Sequence, residues 1–358
     1  MFEHLPLTVL AVIFVAASAV VWVAGTKLSN TTDVLSERFH LGQALGGAIL
    51  LAIATNLPEV AITTSAAISG DLGIAVGNIL GGIAIQTVVL VLLDRFGIEK
   101  SVSLIHRAAS LKLVVEGLLV VCVLVLAIMA TQLPPMLIAL RLSPGPVMIA
   151  TFWIFGVWTI AHAKRGLPWG DAPADARSAK TKPKRASRKG PKTPTTTAAV
   201  VGFLLAATAT LVCGVLLERS GTAIAGHIGF SGVLFGATVL AAATALPEVS
   251  TGFALTRLGD YELAVSDVLG GNAFLPVLFL LAELISGRAV LPQAQATDIY
   301  LAALGILLTC IYLGGLIFRS KRTIGGIGLD SALVLLLYVV GMAGLFAIAS
   351  APAISGQH

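Results

Sequence analysis

The sequence predicts an all-α polytopic membrane protein, with ten transmembrane helices laid out as two inverted five-helix repeats. Three observations predict it. Of the 358 residues, 57% are hydrophobic and only 11% charged, and the mean hydropathy is +0.96; a soluble chain carries about 25% charged residues. Apolar runs of about 20 residues, enough to cross a bilayer core, recur along the chain. The second half also repeats the first at one fixed offset, the shift that carries Pro58 onto Pro247.

The runs fall at 6–26, 39–69, 72–93, 111–131, 144–163, 197–217, 229–256, 262–286, 297–318 and 328–350. No basic segment precedes the first, so it reads as a span rather than a cleaved leader. Between the fifth and sixth lies KRGLPWGDAPADARSAKTKPKRASRKGPKTPTTT, whose Lys, Arg, Pro, Ser and Thr cannot bury a core. The expected organisation is a first membrane repeat at 1–163, a basic flexible linker at 164–196 and a second membrane repeat at 197–358. Of the 23 Lys and Arg residues, all but Arg141, Arg219 and Arg288 fall in the linker or in loops on its side of the membrane. The positive-inside rule then places the linker in the cytoplasm and both termini outside. Cys122, Cys213 and Cys310 lie within spans, without the spacing of a metal site or a disulfide framework. No phosphate-binding glycine loop offers a means of using ATP.

The repeat is informative residue by residue. The offset aligns ATNLPEV at 54–60 with ATALPEV at 243–249, Gly70-Asp71 with Gly259-Asp260, and ILGG at 79–82 with VLGG at 268–271. Five spans per half, an odd number, turn the second half upside down relative to the first. Such halves characterise secondary transporters, whose sites lie where broken helices meet near the midplane. Pro58 and Pro247 each deny a hydrogen bond to the carbonyl four residues earlier. Thr55 and Thr244 add hydroxyls one turn before Glu59 and Glu248. Two carboxylates brought together in hydrocarbon, with no Lys or Arg in the facing segments, need a cation or protons. An all-oxygen set suits Ca²⁺ or Na⁺ better than a transition metal.

ATNLPEV and ATALPEV, followed by GNILGG and SDVLGG, resemble the two alpha repeats of the calcium/cation antiporter superfamily, the sodium/calcium exchangers. The resemblance covers nearly the whole chain. It implies that the repeat glutamates are the central ion ligands and that transport proceeds by alternating access. The family pattern is GTSLPE followed by GN-x-x-GSN-x-x-N or -D. Thr55, Thr244, Glu59 and Glu248 match it, Asn56 stands for a serine, and Gln86 fills the last polar position of the first repeat. Ligand-type side chains are missing at Gly82, Ala245, Gly271 and Leu275, while Asn272 keeps the asparagine that Ile83 loses. Asp267 replaces the asparagine of the second GN element. It lies four residues before Gly271 and eight before Leu275, about 12 Å along a helix axis from the usual carboxylate. It is either an ion-pathway ligand or a structural, hydrated aspartate. Asp94 and Glu283, at equivalent span ends, read as interfacial, and Lys112 with Glu116 reads as a local ion pair.

The expectation is thus a multi-pass transporter of a prokaryotic plasma membrane, not an enzyme. It has no cofactor, and its partners are inorganic cations (Ca²⁺ with Na⁺ or H⁺) and membrane lipid, with no nucleic acid. Sodium/calcium-type antiport around Glu59 and Glu248, supported by Thr55, Thr244, Asn56, Gln86 and Asp267, is the first reading. Proton-coupled cation exchange, and a degenerate relative that binds without transporting, are the alternatives.

Overall fold

The computed structural model describes residues 2–38, 50–98, 102–138, 141–162, 195–230 and 232–350. The expected linker lies outside these residues except for its last two positions, as does the first part of the expected 39–69 span. Helices dominate: α1 Leu7–Arg38, α2 Leu50–Thr55, α3 Leu57–Ser69, α4 Leu72–Phe96, α5 Leu104–Ala108, α6 Leu111–Thr131, α7 Pro144–His162 and α8 Thr196–Ile228. There follow α9 Gly236–Thr244, α10 Leu246–Arg257, α11 Tyr261–Ser286, α12 Ala296–Phe318 and α13 Leu329–Ser350. A short hairpin, β1 Thr323–Ile324 with β2 Ile327–Gly328, turns the chain into α13. Among the described residues, eight helices are long and apolar enough to cross a membrane, and the bent pair α9–α10 makes a ninth candidate. The chain is a polytopic helical membrane protein.

The breaks fall at the motifs, for a local reason. Pro58 and Pro247 sit in the first turn of α3 and α10, where a missing N–H does least harm. Asn56 and Ala245 are the non-helical joints before them, and α10 leaves α9 at 43°. Residues Gly236–Leu240 of α9 form a π-helical turn, a rare conformation that recurs at functional sites. Each half then runs through a tight glycine turn, with Gly70 at φ 85° and Gly259 at φ 76°. Only glycine takes these angles without cost. Those turns fold α3 back on α4 and α10 on α11.

Burial sorts the helices into layers. The central window of α4 is 83% buried, against 22% for α1 and 17% for α7 and α13. So α4 is the axis, while α1, α7 and α13 turn mainly outward. On one flank α1 and α8 pack along each other and against α10 and α3; on the other, α6, α12 and α13 pack around α4 and α11. The crossings over the breaks are very close. A methyl group at Gly25 of α1 would lie 2.7 Å from the Cα of Pro247, and one at Gly214 of α8 would lie 2.9 Å from the carbonyl oxygen of Pro58. Gly25 and Gly214 are equivalent under the repeat, as are the two prolines they touch.

Asp94 and Glu283 correct the reading of span-end carboxylates as interfacial. They are 2% and 0% exposed. Asp94 accepts the backbone N–H of Leu104 and that of Gly328, each at 2.6 Å. Glu283 accepts the N–H of Ser143 at 2.7 Å, its hydroxyl at 2.7 Å and the N–H of Val290 at 2.9 Å. Each carboxylate therefore ties one loop from each half of the chain to a central helix. The sequence shows an acid at a span end but not the distant amides that enclose it. The Lys112–Glu116 pair is present at 3.3 Å, and Ser266 donates to the same carboxylate oxygen at 2.9 Å.

Hydrogen bonds to a buried charge contribute about 1.5–3 kcal/mol each. Glu283→Ala should therefore lower the unfolding midpoint of the detergent-solubilised protein substantially, by about 3 kcal/mol or more in stability. Glu283→Gln should lose less. Thermal unfolding of the two variants beside the wild type checks this, and an unchanged midpoint in Glu283→Ala would remove the tethering role.

Candidate cation site

Glu59 and Glu248 occupy equivalent places in the first turns of α3 and α10, immediately after the prolines, and both are 0% exposed. Between them reaches Gln86 from α4. Its Nε2 lies 3.4 Å from Glu59 Oε1, 3.4 Å from Glu248 Oε1 and 3.2 Å from Asn56 Oδ1. Two amide hydrogens cannot serve three acceptors at once. The hydroxyls cross over: Thr244 neighbours the carboxyl of Glu59, and Thr55 that of Glu248. Each half thus supplies the hydroxyl that faces the other half's glutamate.

Three oxygens at this centre, Glu59 Oε2, Glu248 Oε2 and Gln86 Oε1, are buried without any hydrogen-bond partner. An unpaired buried acceptor costs about 1–3 kcal/mol, and more when charged. Such a group points to something that belongs there. Among the described residues no three His, Cys, Asp or Glu side chains converge tightly enough to form a ready-made metal cage. Amide, hydroxyl, backbone or water oxygens have to complete any coordination, as hard cations allow.

Asp267 joins the same cluster. Thr55 donates to its Oδ1 at 3.4 Å and Thr251 to its Oδ2 at 2.7 Å, and Asp267 is 0% exposed. A displacement of two turns along α11 does not carry it away, because α2 packs across α11 and brings Thr55 to it. All seven residues singled out from the sequence are therefore buried in or beside one polar cluster: Thr55, Asn56, Glu59, Gln86, Thr244, Glu248 and Asp267. Thr251 was missed. It follows Glu248 by three residues on the same helical face, and that spacing could have found it. Asn272 stands just off the centre, donating to Thr87 Oγ1 at 3.2 Å and to the carbonyl of Ile83 at 3.4 Å.

A profile described as sodium/calcium exchanger protein matches residues 9–161 and 198–347. The chain belongs to the sodium/calcium exchanger family. It is a membrane transporter and not an enzyme. Among its relatives, CaxA of Alkalimonas amylolytica, described as a putative antiporter, is 27% identical over 312 residues, 86% of this chain and 91% of CaxA. The fold is shared with the H⁺/Ca²⁺ exchanger CAX, at a TM-score of 0.64 and 15% identity, covering 96% of this chain and 86% of that one. It is also shared with the sodium-calcium exchanger NCX_Mj, at 0.59 and 17% identity, covering 97% and 100%.

The departures of this exchanger from the family pattern compensate one another. A Cβ at Gly271 would lie 2.6 Å from Asn56 Nδ2 and 3.5 Å from Gln86 Oε1. The glycine in place of a serine is thus the space into which the longer Asn56 amide fits. Leu275, 0% exposed, fills the position of the absent acid, 3.6 Å from where a Cβ at Gly82 would stand.

Gly271→Ser should therefore overpack the site, at a cost of about 1–3 kcal/mol. Adding Asn56→Ser should recover most of it, because the two positions share one volume. Thermal unfolding of both single variants and the double variant measures the coupling. Strictly additive losses would show that the two departures are independent.

Proposed function

We propose that this protein is a secondary active cation antiporter of the sodium/calcium exchanger type, working by alternating access around Glu59 and Glu248. In this reading ten spans form two inverted five-helix repeats, 1–163 and 197–358, joined by a cytoplasmic linker at 164–196 with both termini outside. The observation that carries it is the set of three unpartnered oxygens, Glu59 Oε2, Glu248 Oε2 and Gln86 Oε1, buried where two broken helices meet. A divalent cation there balances both carboxylates. The hydroxyls of Thr55 and Thr244, the side-chain oxygen of Asn56, and Asp267 complete its surroundings.

Ions move as the outer helices α1 and α8 shift past the central bundle of α3, α4, α10 and α11. Support comes from the layering. Both outer helices face largely away from the core, and each touches a motif helix through a glycine with no side chain to interlock. Calcium as the cargo rests on family membership and on the all-oxygen chemistry of the site.

A second reading, proton-coupled exchange, is favoured by what the site lacks. Without side-chain oxygens at Gly82, Ala245, Gly271 and Leu275, few ligands remain for sodium beside those a divalent cation would use. Protons taken up by Glu59 and Glu248 require none. The structural likeness to the H⁺/Ca²⁺ exchanger CAX is compatible with it.

In proteoliposomes, ⁴⁵Ca²⁺ uptake should be driven by an imposed sodium gradient under the first reading, and by a proton gradient without sodium under the second. Glu59→Gln and Glu248→Gln should each reduce the flux about a hundredfold or more, since each removes a charged ligand whose loss costs about 3 kcal/mol or more. Full flux in both variants would sink the glutamate mechanism. Retained calcium binding with no exchange under either gradient would instead indicate a relative that binds without transporting.

A further inference from the structure

The polar line does not stop at the glutamates. Asn78 on α4 is 0% exposed, and neither its Nδ2 nor its Oδ1 has a hydrogen-bond partner. It precedes Gln86 by two turns on the same helical face, about 12 Å along the axis. On the facing helix, Thr63 follows Glu59 by one turn and is also 0% exposed with an unpartnered hydroxyl. The contacts of Gln86 with Asn56 and Glu59 fix the antiparallel register of α3 and α4. Thr63 and Asn78 therefore both lie between the glutamates and the Gly70-Asp71 turn.

Asn78 is the repeat counterpart of Asp267. In the second half that position carries a carboxylate already held by Thr55 and Thr251. In the first half it carries an amide, equally buried and held by nothing. A wholly unsatisfied buried amide is more expensive than an apolar residue of the same shape, by about 1–3 kcal/mol for each abandoned group. Leucine would fit the surrounding core more cheaply. The backbone beside Asn78 is also unusual: α4 packs tightly on the π-helical turn, where a Cβ at Gly236 would lie 3.6 Å from the Asn78 backbone nitrogen.

We propose that Asn78, with Thr63, is a cation subsite on the outer side of the glutamates, where side-chain oxygen replaces water on an ion passing between the exterior and Glu59. The amide oxygen is the ligand, and side-chain amide oxygens are ordinary ligands for calcium. Asp267 with Thr251 is its counterpart on the inner side. The inference rests on the antiporter reading and its inverted topology, and it adds a ligand that the central set of glutamates, amides and hydroxyls does not contain.

The test compares Asn78→Leu, which keeps the branched shape and the number of heavy atoms but removes the oxygen, with Asn78→Asp, which restores it with charge. ⁴⁵Ca²⁺ exchange is measured in right-side-out and in everted membrane vesicles, so that each face is presented in turn. Asn78→Leu should raise the half-saturating calcium concentration at the outer face about tenfold, and leave the inner face unchanged. Asn78→Asp should return the outer value to that of the wild type or below it. An unchanged outer value in Asn78→Leu, or equal shifts at both faces, would falsify the subsite and leave Asn78 with a bound water or a packing role. Should Asn78→Leu fail to fold, Asn78→Asp and Asn78→Ala decide by the same comparison. Absence of flux in the wild type would count against the antiporter reading itself, and is thus distinguishable.

Discussion

Two carboxylates buried face to face in hydrocarbon set the terms for the rest of the molecule. Each would be costly alone, and neither has a cationic side chain as its neighbour in the motif. Several features follow from keeping them there. The helices must break beside them so that their side chains and the neighbouring polar groups can share one space, and proline in a first helical turn does this with the least damage. An amide must reach between them, and α4, the most buried helix, carries Gln86 to that place. Lipid must also be kept away, which is the work of α1 and α8 on one flank and α6, α12 and α13 on the other.

The same constraint explains where polarity is spent elsewhere. Asp94 and Glu283 are also buried acids, yet every oxygen of theirs meets a backbone or hydroxyl donor. They fasten loops and leave nothing over. Glu59 and Glu248 each keep an oxygen in reserve. Burial alone does not separate a structural acid from a functional one in this bundle, and neither does a single unpartnered oxygen, since Glu116, Asp298 and Asp330 keep one too. Glu59 and Glu248 stand apart because theirs lie around one amide, Gln86, at the two helix breaks.

Much of this was legible in the sequence, because the signals were local or periodic. Apolar run lengths pointed to the spans, and a single fixed shift paired Pro58-Glu59 with Pro247-Glu248 without any knowledge of their distance. What the sequence could not convey were separations across helices. Asp267 looked two turns too far along α11, since distance along one axis says nothing of the helix that crosses it and brings Thr55 within reach. Gly271 looked like a lost ligand, and only the facing Asn56 shows it to be room for a larger one. Asp94 and Glu283 looked interfacial because most of their partners are backbone amides, one of each set coming from the other half of the chain, and a backbone amide has no sequence signature.

The crossings of Gly25 over Pro247 and of Gly214 over Pro58 have a consequence for how the chain assembles. The long helix of each half lays a glycine directly on the proline of the other half, Gly25 on Pro247 and Gly214 on Pro58. A single half on its own would therefore present one glycine groove without its proline, and one proline break without its cover. The same glycine and the same proline thus meet twice, once at each break. Because α8 is synthesised after α3, the Pro58 break gains its Gly214 contact only once the second half of the chain follows.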